Sequence, residues 1–229
     1  MVEVSFYLLS LIAVSMLLLL FRNYSPKQKI ILGFGVVIWI SYLIIIAQTG
    51  VLKRFDMPPR IPLFVVIPII STIVVLVNRK FMRTAIEQTP SYVPIALQSF
   101  RIFVELLIFA TYLKGIFPQR ATFEGLNFDI LVGISAIFIS IAVYKGFIKN
   151  RGILIWNFVS LGILTLTVYS FISTYYFTDF ISAGAGYKFV EFPYLLLASV
   201  LLPTAIFLHA FSIKQVLVQK ASVSEHIKN

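Results

Sequence analysis

Gln98, Arg101 and Glu105 stand three and four residues apart inside an otherwise apolar run. On a helix those offsets share a face, so an amide, a guanidinium and a carboxyl make one polar stripe about two turns long. A charged side chain near a bilayer centre costs about 2.5–3.5 kcal/mol on insertion scales, so the stripe is expected to face a protein interior rather than lipid. Two chemistries fit it. Arg101 and Glu105, at i and i+4, can form a structural ion pair that fixes helix rotation. Alternatively they line a polar cavity in which Glu105 titrates or binds a cationic group while Arg101 holds an anionic one. His209, near the end of another apolar run, is a further candidate for this site. Glu124, Asn127 and Asp129, within Thr122-Phe-Glu-Gly-Leu-Asn-Phe-Asp129, are candidates to line an outer entrance for a cation or basic ligand. Thr122 and Asn127 are equally good helix caps, and carboxylates suit a helix start.

The elements that position these residues follow from composition. The 229 residues are 59% hydrophobic and 12% charged, with a mean hydropathy of +0.96, whereas an ordinary soluble domain carries about 25% charged residues. The chain reads as all-α, a polytopic membrane protein with the lipid bilayer as its solvent. Apolar stretches place seven transmembrane helices at about 4–21, 30–50, 61–78, 94–117, 127–144, 152–177 and 192–213, each near the roughly 20 residues that a crossing needs. Residues 1–213 form a single bundle, and 214–229 a short polar cytoplasmic tail. Pro68 is expected to kink the third span near Phe64, where neighbouring helices can re-satisfy the freed carbonyl. The Gly184-Ala-Gly186 stretch reads as a turn, with no third glycine or strand to make a dinucleotide fingerprint.

With no cysteine, disulfides, thiolate catalysis and Cys-ligated metal centres are excluded; no metal and no cofactor are expected. The net charge of +10 comes from residues scattered over short loops. That distribution suits an orientation signal better than a nucleic-acid surface, so no nucleic-acid partner is expected. Alternate loops place twelve Lys and Arg on one side and six on the other, which predicts the N-terminus outside, the C-terminus cytoplasmic and a multi-pass location in the cell membrane. In that frame Arg101 lies about 10 Å and Glu105 about 16 Å from the inner edge. His209 is then expected nearer Arg101 than Asp129, which enters from the opposite face.

The seven-span, N-outside layout resembles that of heptahelical receptors in topology. A retinal Schiff base needs a lysine mid-span in the last helix, and the seventh span has none before Lys214. Three function classes remain. The first is a transporter or sensor that binds a small polar or charged molecule or an ion through Gln98, Arg101, Glu105 and His209. The alternative is a non-catalytic accessory subunit with a membrane-protein partner, Arg101–Glu105 being its structural ion pair. An intramembrane enzyme is the weakest: HExxH and GxSxG are absent, and Gly133-Ile-Ser135 lacks the closing glycine of a nucleophile elbow.

Overall fold

The computed structural model describes residues 1–181, 184 and 186–228, with side chains to residue 220. Ala185 of the glycine turn, Asn229 and the side chains of the tail beyond 220, His226 included, lie outside the described residues. Gly184 and Gly186 have φ of 104° and 68°, values that favour glycine. Among the described residues the fold is all helical, without a strand.

Helices α1 (Val2–Leu20) and α2 (Pro26–Gln48) are separated by a tight connection. Pro26 ends neither of them; it occupies the first turn of α2, where its missing N–H would be unpaired anyway. Ser25 completes a capping box with Gln28. The third segment opens as a π-turn at Pro62–Val66 and continues as α3 (Ile67–Val77). The chain then bends by 69° into Lys80–Gln88, which contains the short α4 (Arg83–Gln88). Helices α5 (Tyr92–Leu97) and α6 (Arg101–Tyr112), joined by a 3-10 turn, make one 21-residue rod. After α7 (Asp129–Tyr144) and α8 (Asn150–Phe177), a second π-turn at Leu197–Leu201 leads into α9 (Leu202–Lys228).

Five of these helices are long and apolar enough to cross a membrane, and six if the bent pair counts as one span. The remaining expected span, the fifth in chain order, is α7, whose 16 residues give about 24 Å of helix against a hydrocarbon core of about 30 Å. Its shortness has a local cause. The stretch between α6 and α7 folds back into the bundle, burying Phe117, Ala121, Thr122 and Asn127. Irregular backbone is tolerable at such depth when it is covered by protein. Phe117 packs edge-on against Phe171 and Phe189, with ring centroids 5.4 and 5.5 Å away. At the other extreme α9 shows no break at residue 213, where the sequence suggested a tail; its backbone is helical to Lys228.

Pro68 and Pro203 each lack the N–H that would bond the carbonyl four residues back, at Phe64 and Ser199 respectively. Both carbonyls lie in the π-turns, and both are taken by α2. The Tyr42 hydroxyl donates to Phe64 O at 2.7 Å, and Trp39 Nε1 donates to Ser199 O at 2.9 Å. The two rings stack at 5.4 Å. Leu43 is the one fully buried residue of α2 among those described, and these two bonds add to the partly buried contacts of Leu32, Ile40, Ile46 and Ala47.

Contacts sort the loops onto two ends. Lys214 bonds Asn78, Asn23 bonds Gln88, and Tyr92 packs on Tyr144 at one end. Lys53 pairs with Glu191, and Tyr175 bonds Ile116 O, at the other.

Candidate functional site

Gly133 is where the site is set. A Cβ there would come within 2.8 Å of the Ile102 side chain and 2.9 Å of the Ile102 backbone nitrogen, so glycine lets α7 press against the start of α6. Ala136 and Ser140 continue this buried, small-residue face. One turn before Gly133, Asp129 is thereby brought to Arg101.

Arg101 binds Asp129, not Glu105. Its Nε donates to Asp129 Oδ2 at 2.8 Å and its Nη2 donates to Asp129 Oδ1, a two-pronged ion pair between α6 and α7. The expected intrahelical pair fails because the helix spacing leaves Glu105 competing with a carboxylate that faces the guanidinium fork squarely. Arg101 Nη1 donates to His209 Nε2 at 3.1 Å. A guanidinium only donates, so Nε2 must accept. His209 Nδ1 accordingly donates to Asn157 Oδ1 at 2.8 Å, while Asn157 Nδ2 donates to Ile153 O and Ser212 Oγ. The imidazole is therefore the neutral Nδ1–H tautomer. His209 is wholly buried beside Trp156, 5.6 Å between ring centroids, and not at an interface.

Glu105 belongs to a second limb. Asn127 Nδ2 donates to Glu105 Oε2 at 2.6 Å and to Ala121 O at 2.9 Å. Asn127 Oδ1 accepts from Asp129 N and from Thr167 Oγ1. Asn127 thus holds the N–H of the first residue of α7 and ties that backbone to the Glu105 carboxyl. Glu105 Oε1 has no hydrogen-bond partner, although the residue is only 1% exposed. Gln98 is equally buried, donates to Ala205 O at 3.0 Å, and leaves its own Oε1 without a partner.

Gln98, Arg101, Glu105, His209, Asn127 and Asp129 therefore fall in one interior region. Glu124 does not; it is exposed and accepts weakly from Gln119 at 3.4 Å. Asn127 and Asp129 are buried together with much of the loop before α7, and Asp129 meets Arg101. The sequence reading passed over Thr167 and Asn157. An amide inside the apolar run 152–177 is costly to bury, and that was the available signal for Asn157. Among the described residues no three His, Asp or Glu side chains are grouped to hold a metal ion.

Arg101, Glu105, Asp129 and Thr167 stand on the wall of a cavity with about 80 Å³ of room for water centres, several times what one water needs. The rest of the wall is apolar or aromatic. It includes both π-turns, through Pro62 and Val66 and through Ala198 and Leu201. On α8 the lining residues run from Leu164 to Tyr176, about 18 Å of one helical face.

The helices and site define an all-α chain with several helices fit to cross a membrane and a carboxyl-bearing internal cavity. No protein-family model, curated protein or solved structure matches it.

Proposed function

We propose that this is a seven-segment integral protein of the cell membrane, N-terminus outside and C-terminus cytoplasmic, that binds a small ligand in the cavity beside Glu105. It would serve as a transporter or sensor. The observation that carries the reading is Glu105, which lines the cavity and whose buried Oε1 has no hydrogen-bond partner. Burying a polar atom unpaired costs free energy, and a ligand donor would remove that cost. Arg101 has a different role in this proposal. Asp129 and His209 take three of its five N–H groups and Asp129 balances its charge, so its role is to hold the wall together. In this reading α7 is the fifth of the seven crossings, completed by the buried stretch that precedes it.

The accessory-subunit reading draws support from α2, most of whose apolar surface faces outward and could receive a membrane-protein neighbour.

The absence of cysteine makes the test direct. Ala198→Cys on the cavity wall is expected to react with aminoethyl methanethiosulfonate in native membranes, whereas Ala136→Cys, wholly buried on α7 away from the cavity lining, is expected to resist. An Ala198→Cys that reacts only after denaturation would remove the binding reading.

A further inference from the structure

We infer that the ligand is a membrane-soluble ammonium amphiphile, which enters sideways from the lipid between α3 and α8 and sets its ammonium on Glu105 Oε1. The inference rests on the cavity reading above and adds the ligand's chemistry and route. Three observations carry it.

The first is charge. Asp129 already neutralises Arg101, and the imidazole of His209 is neutral by its bonding pattern. Glu105 is the remaining acid of the wall, bonded through one oxygen only to the neutral Asn127. A cationic donor would satisfy that oxygen and hold Glu105 in its ionised form, whereas a carboxylate ligand brings it neither a donor nor a counter-charge.

The second is the body of the cavity. From Thr167, beside the Glu105 limb, the lining continues through Phe171 to Tyr175, about 12 Å along α8. Phe189 lies against this face, its ring centroid 4.6 Å from that of Tyr175. A narrow apolar passage with one polar end matches a head joined to an alkyl chain, not a uniformly polar solute.

The third is the rim. The partly exposed lining residues include Pro62 and Val66 at the head of α3, and Val168, Ile172 and Tyr176 at i, i+4 and i+8 on α8. These lips are apolar and face outward from the bundle. Tyr176 Oη accepts from Ile61 N–H at 3.1 Å and ties the two elements at one end of the rim. Passage through such a mouth selects molecules that already dissolve in lipid.

The test is thermal stabilisation of the purified full chain in nanodiscs by octylamine, octanol and octanoate. Octylamine is expected to stabilise most and octanoate least. Glu105→Gln should weaken octylamine by about 10-fold or more, the worth of a charge-assisted hydrogen bond, with octanol changed less than about 2-fold. Glu105→Asp, which keeps the acid, should retain the preference for the amine and controls for misfolding. Octanoate binding as well as octylamine, or an amine preference that survives in Glu105→Gln, would overturn the inference. If Ala198→Cys reacts in native membranes while the amine shows no preference, the ligand assignment alone fails. If Ala198→Cys is sealed and no probe binds, the cavity reading fails with it.

Discussion

Asp129 and Glu105 are both buried carboxyls, yet their surroundings assign them opposite sensitivities to substitution. Asp129 faces the Arg101 fork, so Asp129→Asn leaves a guanidinium buried without its counter-charge and should cost about 3–5 kcal/mol. Glu105→Gln keeps an acceptor for Asn127 and should cost about 1 kcal/mol or less. Unfolding by SDS titration in mixed micelles would measure both, and equal costs would refute the division of labour. That Gln98, Arg101 and Glu105 are interior was legible from their price in a bilayer and their shared face. The partner of Arg101 was not. An i, i+4 rule sees only one helix, whereas the pair that forms depends on Gly133 bringing α7 against Ile102.

Each of the seven apolar stretches carries helix, because hydrophobic length is a strong signal, but five of them, or six with the bent pair, are long and apolar enough to cross a membrane; their ends were less readable. Asp129 was placed near an outer face by counting from an assumed straight crossing, and the buried loop before α7 defeats that count. Irregularity near Phe64 was legible from Pro68 and takes the form of the π-turn Pro62–Val66, but neither the 69° bend after Val77 nor the donor that α2 supplies to the freed carbonyl was. This arrangement predicts energetic coupling. Trp39→Phe should cost about 0.6–1.7 kcal/mol by removing an interhelical hydrogen bond. In a Pro203→Ala background, the restored N–H at residue 203 can serve Ser199 O, so the same change should cost less. A double-mutant cycle on unfolding free energies would expose additivity, which is the result that contradicts the arrangement.

The whole bundle has one end richer in Lys and Arg, with the Lys214 and Asn78 contact among its ties. Alkaline phosphatase fused to the C-terminus should be inactive if that end is cytoplasmic, and strong activity would invert the proposed orientation. The bond from Trp39 to Ser199 also has a meaning in time. Its partners are 160 residues apart in the chain, and synthesis at 5–20 residues per second separates their appearance by about 8–32 s. Through that interval α2 has left the ribosome without its permanent acceptor, and its indole must bond to water, headgroups or the insertion machinery. One of the earliest helices made is thus held in part by one of the latest, long after its Tyr42 hydroxyl could have met Phe64 O.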